Sequence, residues 1–133
     1  MPEFFHGSCL CGAVEYRLST PPKALSHCHC SQCRKGHGAA FASYASVPRD
    51  NLQLLRGADR LRSYRSSATV LRQFCGDCGS SLFWSDSAGD YSDWISIALG
   101  TLDSDFTAAR QKHLHVASRA CWYAIEDHWP QFQ

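Results

Sequence analysis

The chain has 133 residues and a formal net charge of +1, long enough for one domain that buries about two-thirds of its unfolded surface. Its 13 basic and 12 acidic residues are dispersed and not run together, so charge gives no case for nucleic-acid binding. Apolar runs such as residues 94–99 are far too short to cross a bilayer, so no membrane partner is expected.

In chain order, strand signals dominate. The start, Met1 to His6, has neither the basic end nor the apolar run of a signal peptide, which predicts a reduced, cytoplasmic protein. Residues 13–18 alternate apolar and polar side chains, as a half-buried strand does. Pro21 and Pro22 end that run, and residues 24–29 form a second extended stretch. Residues 31–35 suit one helical turn, ended by Gly36 and Gly38.

Further strands are predicted at 41–47, 52–56, 61–65, 69–74, 82–84, 94–99 and 114–116, separated by Gly, Pro and Ser turns. A helix is predicted over 105–112, with Asp105 as its cap. No period or low-complexity linker divides the chain. The expectation is a single, mainly β domain over 1–133, with short antiparallel strands in packed sheets and little helix.

Seven of the eight cysteines fall into three groups. Cys9 and Cys11 form C-x-C, Cys28, Cys30 and Cys33 form C-x-C-x-x-C, and Cys75 and Cys78 form C-x-x-C. Cysteines two apart close a disulfide badly, and the reduced setting argues against disulfides, so these spacings read as zinc sites. The first and third groups together supply four thiolates, the number a closed structural zinc needs. Such sites are worth about 10–16 kcal/mol of apparent binding energy in finger peptides, comparable with a domain's whole stability of about 5–15 kcal/mol. An exchanged set, with Cys28 joining Cys75 and Cys78, is also compatible with spacing.

The middle group supplies only three thiolates, which leaves a zinc with an open fourth position. A tri-thiolate zinc is a weak Lewis acid, better suited to keeping an incoming thiol ionised than to making hydroxide. That favours sulfur chemistry over hydrolysis. The other reading is a second structural zinc, completed by His27, His29 or His37.

Arg34 and Lys35 follow the last of these cysteines and could meet a substrate carboxylate or simply be solvated. His29 is expected to point away from the metal. His113 and His115 share one face of a possible strand, in surface or packing roles. Cys121 is expected to be a buried apolar thiol, and the four tryptophans mostly core.

The segments Gly7-Ser-Cys-Leu-Cys-Gly-Ala-Val-Glu-Tyr16, His27-Cys-His-Cys-Ser-Gln-Cys-Arg-Lys35 and Phe74-Cys-Gly-Asp-Cys-Gly-Ser-Ser-Leu82 resemble the glutathione-dependent formaldehyde-activating enzyme family. So do Leu99-Gly-Thr-Leu-Asp103 and the tail from His113 to Tyr123, although Cys121 stands where that family commonly has proline. The resemblance implies a β-tent fold clipped by zinc, with two zinc ions per chain. It implies a structural zinc on Cys9, Cys11, Cys75 and Cys78 and a catalytic zinc on Cys28, Cys30 and Cys33. The activity it implies is that of S-(hydroxymethyl)glutathione synthase, a carbon–sulfur lyase by class, with glutathione as the small thiol. The rival from another class is a non-catalytic, zinc-stabilised module that binds a protein partner. That module would have a filled fourth position and no small-molecule cleft.

Overall fold

In the computed structural model, residues 4–133 are described; residues 1–3, which open the N-terminal run considered above, lie outside them. Ten strands and one α-helix follow in the order β1 (Phe5–Ser8), β2 (Glu15–Leu18), β3 (Lys23–Cys28), α1 (Ser31–His37), β4 (Ala42–Pro48), β5 (Leu52–Arg56), β6 (Leu61–Arg65), β7 (Val70–Cys75), β8 (Ser81–Asp86), β9 (Trp94–Ala98) and β10 (Lys112–Leu114). Strands β1, β2 and β5 make a three-stranded antiparallel sheet. The other seven lie in the order β10-β3-β4-β9-β8-β7-β6, antiparallel except where β10 joins β3.

The two sheets pack through one core. Alternation in β2 buries Tyr16 and Leu18 completely. These meet Val47, Leu82, Phe83, Ile95 and Ile97 from the larger sheet. Tyr16 and Phe83 form an edge-to-face pair with centroids 5.2 Å apart, a favoured aromatic geometry. Cys9 and Cys75 are buried in the same cluster. The opposite face of the seven-stranded sheet carries a second cluster, in which Tyr44 and Ala98 pack on Cys28 and Cys33, with Trp84 beside them. Cross-strand pairing explains the division. Phe83 stands opposite Ile97 and Trp84 opposite Ser96, so neighbours in sequence serve different faces.

Short helical structure is confined by its caps. The Cys30 sulfur accepts the Cys33 N–H at the start of α1, and Gly38, in the left-handed region at φ 60°, ends it.

The mainly β expectation holds, with most predicted strands shifted by only a residue or two. Three points differ. Phe5–Ser8 is a strand that the sequence reading missed. The predicted strand at 114–116 lies at Lys112–Leu114, and residues from Val116 make a single 3-10 turn. The helix predicted over 105–112 is absent. Only its start and the residues just before it lie against β1. The Asp103 N–H donates to the His6 carbonyl at 2.7 Å, the His6 N–H donates to Ser104 Oγ at 2.9 Å, and the Phe106 ring packs edge-on against Phe5. Tertiary contacts of this kind override a weak local helix preference. Among the described residues no helix is long and apolar enough to cross a membrane.

Candidate metal centres

Cys9 and Cys11 sit on the turn that follows β1, whereas Cys75 ends β7 and Cys78 lies on the next turn. Each turn has a glycine at φ 81° directly after its second cysteine, Gly12 and Gly79, where a side chain would be strained. The turns close with Gly12 N–H on the Cys9 carbonyl at 3.1 Å and Gly79 N–H on the Cys75 carbonyl at 2.8 Å.

The four sulfurs all lie within 4.8 Å of one another. Cys9 and Cys11 are separated by 3.7 Å between sulfurs, and Cys11 and Cys75 by 3.8 Å. A tetrahedron with Zn–S bonds of about 2.3 Å has edges of about 3.8 Å, whereas a disulfide needs about 2.05 Å. The donor set therefore fits a tetrahedral metal ion and does not fit a disulfide. Ser80 ties the two turns together: its hydroxyl accepts the Leu10 N–H at 2.9 Å and lies 3.3 Å from the Cys78 sulfur. That hydroxyl is the first cause holding the Cys78 thiol down to about 5.

The second group forms where β3 enters α1. Cys28 ends the strand, Cys30 caps the helix and Cys33 lies one turn in, with the three sulfurs within 4.8 Å of one another. Cys28 and Cys33 are buried and Cys30 partly exposed. The Cys33 thiol is pulled down to about 6, first by hydrogen bonding with Cys28 and then by the Arg72 guanidinium, against the effect of burial. The Cys28 thiol is pushed up, first by the same interaction with Cys33 and then by burial. Cys33 therefore ionises ahead of Cys28.

Among the described residues no histidine nitrogen joins this group. His27 is bonded to Ser43 and Gln111, both at 2.8 Å. His29 is fully buried, and its Nε2 lies 2.8 Å from His113 Nδ1. His37 Nε2 lies 2.9 Å from the Tyr44 hydroxyl. The exchanged set is not formed either, because Cys28 stays in the trio while Cys75 and Cys78 stay in the quartet.

A cleft of about 560 Å³ opens on the trio, walled by Tyr44, Val70, Arg72 and Trp84. A second hollow, of about 330 Å³, lies across Tyr44 and Arg72, against His37 and Tyr64. Arg72 was not singled out in the sequence, yet both its terminal nitrogens lie 3.7 Å from the Cys33 sulfur. By contrast, Lys35 is exposed and Arg34 half-buried, with its Nε unpartnered among the described residues.

Other expectations are corrected here. His113 is buried in β10, while His115 leaves the strand at φ 56° and lines the cleft. Backbone reversal at His115 explains why the two do not share a face. Cys121 is exposed, because it follows Ala120 into an irregular tail whose Trp122 is also exposed. None of the four tryptophans is fully buried, and Trp84 serves as a cleft wall.

Comparison with known proteins places these features in context. Residues 4–118 match the family model described as glutathione-dependent formaldehyde-activating enzyme. A relative from Halomonas elongata, named "Putative glutathione-dependent formaldehyde-activating enzyme", is 31% identical over 128 residues, which cover 90% of this chain and 80% of that protein. A Schizosaccharomyces pombe protein named an uncharacterized lyase is 29% identical over 89 residues, 67% of this chain and 62% of its own length. The chain thus spans less than two-thirds of that yeast protein. The crystal structure of a Rhodobacter sphaeroides protein superimposes with a TM-score of 0.62 at 27% identity, covering 76% of this chain and 90% of the other. With matched residues extending over most of its length, the chain belongs to the glutathione-dependent formaldehyde-activating enzyme family.

Proposed function

We infer that this chain, acting as one domain, is a zinc-dependent enzyme of the carbon–sulfur lyase type that joins a small thiol, glutathione, to formaldehyde. The observation that carries this reading is the three-sulfur group with no fourth protein ligand among the described residues, lying on the wall of a cleft large enough for a small molecule. In this reading Cys9, Cys11, Cys75 and Cys78 hold one zinc as a structural clip, and Cys28, Cys30 and Cys33 hold a second. The sulfur donor sets and their spacing support zinc, which favours thiolates in tetrahedral arrangement. Free thiols suit a reducing compartment, so the proposed location is the cytoplasm.

When bound to the trio, zinc would supply a positive centre that keeps a nearby thiol ionised. The chain's own residues do the rest. Cys33 and Arg72 set the charge at the cleft, and Trp84 and Val70 give it an apolar wall. The ionised sulfur is held for attack on the aldehyde carbon, so proximity supplies much of the rate. The new S–C bond forms as the C=O π pair moves to oxygen, and a proton from water completes the hydroxymethyl thioether. The lyase direction reverses these steps.

The test is the rate of formaldehyde capture by glutathione with wild-type protein, with Cys30→Ala, and with no protein. Acceleration by the wild type alone supports the reading, and equal rates in all three reject it. A non-catalytic module would need neither the open trio nor the cleft, so both features favour the enzyme.

A further inference from the structure

Arg72 lies at an unusual junction. It is carried on β7, far in sequence from the cysteine trio, and pairs across strands with Trp84 and Tyr64. Its Nε donates to Ser66 Oγ at 3.0 Å, which fixes the guanidinium plane. Both terminal nitrogens then lie 3.7 Å from the Cys33 sulfur. Gly36 of α1 comes up to the same group, and a Cβ there would sit 3.7 Å from an Arg72 nitrogen. The guanidinium also lines both hollows beside Tyr44.

Charge gives this placement a consequence. Three thiolates around a divalent ion carry one net negative charge, and a fourth thiolate makes it two. Gathering that charge at a half-buried site is costly without a nearby cation. A neutral fourth ligand such as imidazole adds no charge and gains little from the guanidinium. Among the described residues Arg72 alone places a cationic side chain within bonding distance of the trio's sulfurs.

We propose that Arg72 is a specificity-determining residue of the three-sulfur site, selecting an anionic thiolate over a neutral donor as the fourth ligand. This rests on the proposed function, because it assumes a metal on the trio and a thiol partner. Arginine suits the role better than lysine: its fixed fork presents two donors to one sulfur, and its charge persists at all working pH values.

The experiment uses full-length protein loaded with cobalt at both sites, in wild-type, Arg72→Met and Arg72→Lys forms. Each is titrated at one fixed pH with 2-mercaptoethanol, which has no carboxylate, and separately with imidazole. Thiolate-to-cobalt absorption reports the first ligand and the d–d bands report both. Arg72→Met is expected to keep both cobalt ions and bind the thiol roughly tenfold more weakly or worse, as loss of one close charge predicts. Imidazole binding should stay within about twofold, because a neutral donor has little charge interaction to lose. Arg72→Lys should recover part of the thiol affinity.

Thiol affinity unchanged in Arg72→Met, or thiol and imidazole weakened equally, overturns the proposal. Loss of the second cobalt from both variants also overturns it, since Arg72 would then be a structural support. A wild-type protein that responds to no thiol rejects the proposed function along with this inference. A wild-type response matched by Arg72→Met rejects the inference alone.

Discussion

His29 Nε2 lies 2.8 Å from His113 Nδ1, with both side chains buried. His113 Nε2 in turn faces the Asp127 carboxylate at 2.9 Å. The carboxylate can only accept, so His113 donates from Nε2 and presents Nδ1 as the acceptor for His29 Nε2–H. A chain from Asp127 through His113 thus fixes His29, which sits between two cysteines of the trio. The His29 N–H on the backbone also donates to the Leu114 carbonyl at 2.9 Å. The outward-looking histidine of a C-x-C pattern therefore pins the loop to β10 from behind.

This arrangement predicts acid sensitivity. Burial above all holds the His29 ring down to about 4. The folded protein keeps the ring neutral while the unfolded chain takes a proton near the ordinary value of about 6.5. The resulting stability is complete above that value and lost as pH falls toward 4, amounting to about 2 kcal/mol by pH 5. His29→Gln has no titratable ring and can still donate to His113. It should melt lower than wild type at pH 7, and the gap should shrink as the pH is lowered to 5. Metal release affects both proteins, so the difference in melting temperature is the decisive quantity. A gap that stays constant with pH contradicts the prediction.

Gly57 predicts a different kind of sensitivity. It follows β5 at φ 87°, and a Cβ there would lie 2.1 Å from the Ala13 carbonyl oxygen. Ala13 leads out of the Cys9–Cys11 turn, so the intrusion would push on that cysteine loop. Gly89 has the same φ of 87° but nothing within 4 Å of such an atom. Gly57→Ala should cost about 3 kcal/mol or more, combining strain with a backbone clash, and Gly89→Ala only about 1 kcal/mol from strain. Denaturant melts of the two variants check this; equal losses would mean that the contact with Ala13 relaxes freely.

The contrast between what was and was not legible follows the range of the causes. The two sulfur groups were readable because their cysteines come in local clusters with fixed spacing, and each cluster folds within one short segment. Most strands were readable because half-burial leaves alternation in the sequence, as in Glu15–Leu18. Strand β1 left little trace, being four residues with a glycine. That Gly7 is required by a distant residue: a Cβ would lie 2.1 Å from the Tyr16 ring. Arg72 was invisible for a related reason. Only the pairing of β7 within the sheet brings it against α1, and nothing near it in sequence records the contact. The tail misled because Asp105 looks like a helix cap until Phe5 and His6 claim its neighbours.

Metal content is the most direct check on the two sulfur groups. Protein purified under reducing conditions should carry two zinc ions per chain by elemental analysis. The quartet should resist a chelator longer than the trio, since four thiolates shield it and the trio opens on a cleft. One zinc or none, with every thiol titrating as free, would remove the two-centre reading.

The two centres should also differ in what they do for stability. Cys75 is fully buried at the end of β7 in the larger sheet, and its partners Cys9 and Cys11 lie on the turn after β1 in the smaller one. Cys75→Ala would remove a ligand that joins the sheets and leave a cavity in the shared core. Its cost should approach the net stability of such a domain, about 5–15 kcal/mol, so the protein should unfold or aggregate. Cys30 belongs to a trio drawn from one short segment, and its local contribution is the cap on the Cys33 N–H. Losing that bond costs about 1 kcal/mol, so Cys30→Ala should stay folded with one zinc. Thermal melting alongside zinc counting separates the two. Collapse of Cys30→Ala comparable with that of Cys75→Ala would make both centres structural and remove the basis for an open site in the cleft.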